Sequence, residues 1–167
     1  MTVNLRLLFS LLGAIALLLG GCSTADQTPG FVSVDEAQSS FAPRIPASQV
    51  TLAIDPFRSM PGNLADDLTD DIAGGAKSAN ITIVRRIGAP TTHKIKGQLT
   101  AVGGDNGSVV VYIFEVYDAT DTRVYRFNGQ EVAGGTSGDP WIGVGSATMK
   151  KIADKVILEL QAWLSRA

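Results

Sequence analysis

Cysteine and histidine are scarce in this chain, which has one of each among 167 residues. A protein with a single cysteine, Cys22, forms no internal disulfide. A catalytic triad or a histidine-based metal centre would need further catalytic or ligand residues arranged around its histidine, and the sequence shows no such set for His93. The sequence therefore predicts no enzyme and no metal or cofactor site, and it favours a structural role for His93 at the start of a strand.

Charged residues are also few, at 18% of the chain, and they nearly cancel to a formal net charge of −2. The sequence pI is about 5.3. The cationic residues are scattered in short groups such as Lys94/Lys96 and Lys150-Lys151. Because phosphate binding needs a concentrated basic surface, nucleic acid is not expected to be a partner.

Only one long apolar run is present, at 7–19, so no transmembrane helix is predicted after it. Arg6 is the only charged residue before the run, and Gly20-Gly21 lead from it to Cys22. This order of a short charged region, an apolar stretch and small residues is the anatomy of a secretory signal. The alternative for Cys22 is an ordinary secreted protein with a stray cysteine near its cleavage site.

The residues Leu19-Gly20-Gly21-Cys22 resemble the lipobox of bacterial lipoproteins. This resemblance implies cleavage before Cys22, a diacylglycerol on its thiol and a fatty acyl group such as palmitate on its new amino group. The protein would then be attached to a membrane by lipid chains rather than by a spanning helix. Ser23 follows the cysteine where an aspartate would retain an enterobacterial lipoprotein at the inner membrane, so we expect an outer-membrane protein that faces the periplasm.

Composition divides the chain into three parts. Residues 1–21 are the predicted signal peptide, 22–49 the lipidated cysteine and a flexible tether, and 50–167 a single periplasmic domain. The tether is rich in Ser, Thr, Gln, Ala and Pro without sustained periodicity. As a coil it would reach about 30 Å on average. The alternative is that residues 31–41 pack on the domain.

Periodicity in the domain predicts two helices among five strands. The expected strands are 50–57, 81–87, 92–102, 108–117 and 123–132, and the expected helices are 63–79 and 139–165. Asn63 and Asp139-Pro140 are the expected helix starts. Gly74-Gly75 weaken the first helix but would allow close packing on a sheet. The order β-α-β-β-β-β-α predicts an α+β two-layer sandwich, with a mixed, mainly antiparallel sheet of about five strands and both helices on one face.

The sheet face away from the helices is the predicted partner-binding surface. In the strand 92–102, Lys94, Lys96 and Gln98 alternate with apolar residues, which indicates one wet face. A glycine-rich loop at 133–138 precedes Trp141, whose indole is either a core plug or an exposed anchor. The predicted binding residues are Lys94, Lys96, Gln98 and Trp141.

Other polar clusters have both a functional and a structural interpretation. The acidic run 66–71 is a candidate cation site or a solvated helix face. The glycines of 143–145 suggest a phosphate loop or a flexible helix start. Glu115 is either a lone acid with a raised pKa or the partner of Arg123 or Arg126 across a hairpin.

Most of the chain after residue 50 is similar to small alphaproteobacterial envelope lipoproteins of unassigned function. The resembling stretches are HKIKGQLTAVG (93–103), VVVYIFEVYDATDTRVYRFNGQE (109–131), SGDPWIGV (137–144) and IADKVILELQAWL (152–164). The order of elements also resembles curli-secretion lipoproteins, TolB amino-terminal domains and penicillin-binding-protein activators. Fold alone assigns no function.

Two functions follow as hypotheses. The first is a non-catalytic adaptor that binds an envelope protein complex. The alternative is an auxiliary lipoprotein of an ABC-type or lipid-trafficking system, with an apolar ligand between sheet and helices. An enzyme acting on cell-wall glycan would need paired carboxylates across a cleft, and no such pair stands out.

Overall fold

The structure is a computed structural model that describes residues 42–84, 88–104, 107–135 and 138–167. The predicted signal peptide, Cys22, Ser23 and the segment 31–41 lie outside the described residues. Across the described ranges, no helix has the length and apolar character needed to cross a membrane.

Five strands and two α-helices form the domain, in the predicted order, and confirm the α+β fold. The elements are β1 (Thr51–Ile54), α1 (Gly62–Ser78), β2 (Thr82–Ile83), β3 (His93–Gly104), β4 (Gly107–Asp118), β5 (Arg123–Ala133) and α2 (Ser146–Leu164).

The strands lie in one mixed sheet with the spatial order β2-β1-β3-β4-β5. β1 is parallel to β2 and to β3, with α1 as the crossover between β1 and β2. β3, β4 and β5 follow one another in sequence and pair antiparallel. The strongly apolar β4 is therefore internal and the more amphipathic β5 is an edge strand, as their sequences indicate.

One hydrophobic core lies between the sheet and the helices. The helices bury one mainly apolar stripe each: Leu64, Leu68, Ile72 and Ala76 in α1, and Thr148, Met149, Ile152, Ala153, Val156, Ile157, Leu160 and Trp163 in α2. The inward strand residues include Ile95, Leu99, Val110, Tyr112, Phe114, Val116, Tyr125 and Phe127. Alternation along β3 and β4 leaves the intervening side chains on the opposite face.

The predicted start of the second helix at Asp139 is wrong. The Asp139 carboxylate accepts a hydrogen bond from the backbone N–H of Trp141 at 3.0 Å, which caps a separate turn. The chain then passes so close to the loop after β5 that a Cβ at Gly143 would collide with the carbonyl oxygen of Gly134. That approach ends the turn, and α2 begins only after Gly145.

The predicted cap of the first helix is also wrong, because α1 begins at Gly62 with Pro61 in the N-cap position and no side-chain cap. The first two strands are shorter than predicted. β1 ends at Ile54, two residues before Pro56, which has no N–H for a ladder. β2 comprises Thr82–Ile83 alone, and residues 85–87 of its predicted span lie outside the described residues.

Residues 42–49, which belong to the predicted tether, are described and contact the domain. Pro43 is buried, and Ile45 packs against the core. A turn of 3-10 helix, Ala47–Gln49, then leads into β1. The chain therefore joins the sheet at the end where β3 begins and β4 finishes, since Leu52 pairs with His93 and His93 pairs with Asp118.

Candidate functional site

The sheet face opposite the helices, which we call the open face, consists of alternate side chains of β3, β4 and β5. They are Lys94, Lys96, Gln98, Thr100 and Val102; Val109, Val111, Ile113, Glu115 and Tyr117; and Arg123, Arg126, Asn128, Gln130 and Val132. Lys94 and Gln98 are exposed and Lys96 is half-buried. Strand alternation thus brings these three predicted binding residues to one face.

One end of the open face carries an ionic cluster around Glu115, which is 17% exposed. Its carboxylate accepts a hydrogen bond from Arg123 Nη1 at 2.8 Å and one from the Tyr117 hydroxyl at 2.8 Å. Arg126 Nη1 lies 3.6 Å from the same carboxylate. Burial alone would raise the pKa of Glu115, but the hydrogen bonds from Arg123 and Tyr117 hold it below its usual value. The predicted pairing across the hairpin is confirmed, with both arginines as partners.

Lys96 extends this cluster toward the turn between β4 and β5. Its ammonium nitrogen lies 4.0 Å from the centroid of the Tyr117 ring and 3.5 Å from an Asp121 carboxylate oxygen. The hydrogen bond to Glu115 raises the pKa of Tyr117, with burial adding to the effect, so the phenol stays neutral beneath the ammonium. A cation over a neutral aromatic face is attracted to the negative π-surface.

The other end of the open face is apolar and exposed. Val102, Val109 and Val132 occupy one row across β3, β4 and β5. Val132 is 68% exposed, Val102 53% and Val111, in the next row, 42%. The open face therefore changes along its length from an ionic region, near the point where residues 42–49 join the sheet, to an apolar region at the opposite end.

Trp141 lies apart from the lysines. It is half-buried and packs on the core from the helix side, in a turn whose Pro140 ring lies against Gly103 of β3. Gly103 is nine residues along β3 from Lys94, or about 30 Å at the rise of a strand. Trp141 is therefore neither fully buried in the core nor fully exposed. It lies far from Lys94, so the two predicted binding residues are not brought together.

A groove of about 510 Å³ lies between β3 and the segment 55–59. Its polar lining includes Asp55, Arg58, Ser59, Lys96, Gln98 and Thr100. The groove exists because residues 55–59 follow β3 only as far as a single bridge between Arg58 and Gln98 before the chain turns into α1. Arg58 was not predicted as a site residue, since a contact between positions forty residues apart leaves no local pattern.

His93 occupies the strand start that its sequence context suggests, and it is 5% exposed. Its ring meets Trp163 edge to face at 5.3 Å, and its Nδ1 lies 2.9 Å from the Thr92 hydroxyl oxygen. The Thr92 hydroxyl donates to the Thr51 carbonyl, so Nδ1 is the donor to Thr92. Burial lowers the pKa of His93, although the nearby Asp118 opposes the shift.

The acidic run and the glycine-rich loop have structural contacts. Asp67 accepts a hydrogen bond from the Ser146 hydroxyl at 2.6 Å, which joins the starts of α1 and α2. Gly143 fits against the backbone of Gly134. Among the described residues, no group of three or more His, Cys, Asp or Glu side chains is placed to hold a metal ion.

No protein-family model matches this chain, and no curated protein matches its sequence. Several solved structures share the fold weakly. The DUF330 protein XCC0632 from Xanthomonas campestris aligns with a TM-score of 0.49 and 12% identity, over 74% of this chain and 91% of the other. Lipoprotein GNA1162 from Neisseria meningitidis has a TM-score of 0.43 and 10% identity, over 66% and 96% of the two chains.

TolB from Acinetobacter baumannii aligns with a TM-score of 0.41 and 15% identity, over 75% of this chain and 30% of TolB. The expected likeness to TolB is thus confirmed as a weak similarity of fold. The likeness to curli-secretion lipoproteins and to penicillin-binding-protein activators stays a prediction. Similarity at this level identifies no function.

Proposed function

We propose that this protein is a lipid-anchored lipoprotein of the outer membrane, where its domain acts in the periplasm as a non-catalytic binding module of an envelope protein complex. The observation that supports the binding role is the open face itself. Both helices cover one side of the sheet, while the other side presents an ionic region and an exposed row of valines to solvent.

The arrangement of the open face suits a tethered module. Residues 42–49 join the domain at the ionic end, beside the start of β3. The valine row, at Val102 of β3, lies nine residues along the strand from His93, or about 30 Å at the usual rise per residue. The apolar region is therefore the end of the open face that lies away from residues 42–49.

Photo-cross-linking in cells tests the binding role. A benzophenone amino acid is placed at Gln98 on the open face, at Trp141 in the loop, and at the exposed Asp66 on α1 as the matched control. We expect a discrete adduct of defined mass from Gln98 or Trp141 and none from Asp66. Equal labelling from all three positions, or adducts of the probe-bearing protein with itself alone, would contradict the adaptor role.

The alternative is an auxiliary protein of an ABC-type or lipid-trafficking system that binds an apolar ligand. Its support is a second groove, of about 670 Å³, at the carboxyl ends of β1 and β2, with Ile54, Ile83 and Pro90 in its lining. Ligands often bind beyond the carboxyl ends of parallel strands. Native mass spectrometry of the purified protein tests this alternative, which predicts a co-purified lipid mass and is rejected if the protein carries none.

A further inference from the structure

The last six residues of β3, 99–104, pair with a strand on the β4 side only. β3 pairs with β4 along its whole length, but β1 pairs with β3 only from His93 to Ile95. The single bridge between Arg58 and Gln98 is the last backbone pairing on that side within the described residues. We call residues 99–104 the β3 edge.

Alternate residues of the β3 edge direct their backbone N–H and C=O groups away from β4. The carbonyl of Ile95 accepts a hydrogen bond from the N–H of Asp55 at 2.9 Å, so Ile95 directs its backbone groups toward the β1 side. Because successive residues of a strand direct these groups to opposite sides, Ala101 and Gly103 direct theirs to the same side as Ile95. Each offers one donor and one acceptor to an incoming strand.

The other two sheet edges are protected and the β3 edge is not. β2 comprises two residues only. On β5, the Lys155 ammonium reaches the Gln130 carbonyl at 3.3 Å and the Glu131 carboxylate at 2.7 Å. Short strands and lysines are the usual means by which proteins prevent unwanted pairing at an edge. The β3 edge contains Leu99, Thr100, Ala101, Val102, Gly103 and Gly104 and has no charged side chain.

The 510 Å³ groove lies at the Leu99 end of the β3 edge. It is in line with the path that an added strand would take. The Arg58 guanidinium is exposed in this lining, and Asp55 supplies the one carboxylate there. The Lys96 ammonium is held at Tyr117 and Asp121, on the β4 side of β3, so its charge is already engaged. Among the described residues, Arg58 forms no ion pair, so its guanidinium favours a carboxylate at that end of the incoming segment, and in strand addition a pocket of this kind supplies specificity.

We propose that the β3 edge binds an extended segment of a partner protein by strand addition, with a carboxylate of that segment placed against Arg58. The inference rests on the proposed binding function and names how the partner is recognised. Main-chain hydrogen bonds supply affinity, and the groove and the exposed Val102 select the side chains of the added strand.

The test uses a library of random twelve-residue peptides with free carboxyl termini, selected on the purified full-length protein in detergent. Residue-level amide exchange is then followed by NMR with and without a selected peptide. We expect enrichment of acidic residues in the selected peptides and slowed exchange at Ala101 and Gly103, because these amides gain hydrogen bonds. Selected peptides that protect β5 or the loop 138–144 instead, or the absence of any selected peptide, would overturn the proposal.

Two variants separate strand addition from other modes of binding. Val102→Lys places a charge on the β3 edge, and its matched control is Leu158→Lys, at a similarly exposed apolar position on α2 away from the open face. We expect Val102→Lys to weaken peptide binding at least tenfold and Leu158→Lys to leave it within twofold. Ala101→Pro removes one outward donor without removing a bond to β4. Should Ala101→Pro fail to fold, the two lysine variants still decide the outcome.

The remaining outcomes are distinct. A free protein that sediments as a dimer with Ala101 and Gly103 already protected would overturn the proposal in favour of a second copy as the occupant. Adducts from Gln98 in cells that persist in the Val102→Lys variant, without peptide protection of the β3 edge, would reject strand addition while the adaptor function stands. If the protein without substitutions on the β3 edge forms no adducts in cells and binds no selected peptide, both the adaptor function and strand addition are rejected.

Discussion

At the scale of single residues, the packing of His93, the one histidine of the chain, is explained by its role in the core rather than by catalysis. Its ring contacts Trp163 and hydrogen-bonds to Thr92, which is itself joined to Thr51 by reciprocal backbone and side-chain bonds. These contacts fix the start of β3 beside β1. A buried neutral imidazole of this kind makes folding sensitive to mild acid.

We predict that the free energy of unfolding falls as the pH drops below 6.5, the ordinary pKa of histidine. The folded state lowers the pKa of His93, so below pH 6.5 the unfolded chain binds the proton more readily. The stability is therefore complete above pH 6.5 and is lost as the pH falls through the folded-state pKa, at most about 1.4 kcal/mol per pH unit. Urea unfolding from pH 7 to 5 measures it.

The His93→Gln variant is the control for this prediction. It keeps a hydrogen-bonding group beside Thr92 but does not titrate, and the chain has no second histidine. The lowered pKa values of Glu115 and Glu131 act in a more acidic range, since the ordinary pKa of glutamate is 4.5. An unchanged pH dependence between 7 and 5 in His93→Gln would show that another group is responsible.

Glu115 is the residue on which the ionic end of the open face depends. We predict that Glu115→Gln lowers the free energy of unfolding by about 1–2 kcal/mol, because Arg123 loses a charge-assisted partner while its Nε is already buried without one. The matched control is Asp121→Asn, whose carboxylate is 71% exposed and 3.5 Å from Lys96. Exposed pairs contribute little, so a loss of less than about 0.5 kcal/mol is expected there. Equal losses in denaturant unfolding would contradict the role of Glu115.

At the scale of elements, the contact between α1 and α2 depends on a glycine. Gly74-Gly75 suggest close packing on a sheet, but the structure shows Gly75 against Ile157 of α2 instead. A Cβ at Gly75 would lie 2.9 Å from Ile157 Cγ1, whereas a Cβ at Gly74 would meet nothing within 4 Å. The close contact between α1 and α2 therefore needs a glycine at position 75 but not at position 74.

We predict opposite effects for alanine at these two positions. Gly74→Ala should stabilise the protein by about 1 kcal/mol, since alanine favours the helix and the site is open. Gly75→Ala gains the same propensity but forces α1 and α2 apart, at a cost of about 1–3 kcal/mol typical of overpacking. Urea unfolding of both variants compares them directly. Stabilisation of similar size in both would show that the helices do not need the close approach.

The elements that sequence predicted well are those with a strong internal pattern. The alternation in β3 and the apolar stripes of α1 and α2 identify their buried faces because burial repeats along the element itself. The ends of elements were predicted less well. The capped turn at Asp139 is real, but whether it continues into α2 depends on the approach of Gly143 to Gly134, which is a tertiary contact.

The same distinction holds for the candidate site. Alternation alone places Lys94, Lys96 and Gln98 together on the open face. It does not reveal the β3 edge or the groove beside Arg58, because both depend on where the segment 55–59 leaves its neighbour. The separation of Trp141 from Lys94 likewise follows from the path of the chain after β5, which has no signature in sequence.

At the scale of the whole molecule, attachment to a membrane is the property on which the proposed function depends. We predict that Cys22→Ala yields an unprocessed or soluble periplasmic form, because the acyl chains that would hold the protein at the bilayer need the cysteine thiol and its amino group. Metabolic labelling with a palmitate analogue and membrane fractionation measure the effect. A variant that still labels and still fractionates with membranes would reject the lipoprotein assignment.

The membrane that a lipidated Cys22 would select is a separate prediction, which rests on Ser23 and the enterobacterial sorting rule. With serine rather than aspartate after the cysteine, we expect passage to the outer membrane, and the acidic Asp26, three residues further along, should have a weaker effect than an aspartate at position 23. Sucrose-gradient separation should show co-migration with outer-membrane markers, and Ser23→Asp should move the protein to the inner-membrane fractions. Co-migration of the unmodified protein with inner-membrane markers would refute the assignment, and Ser23→Asp should then change nothing.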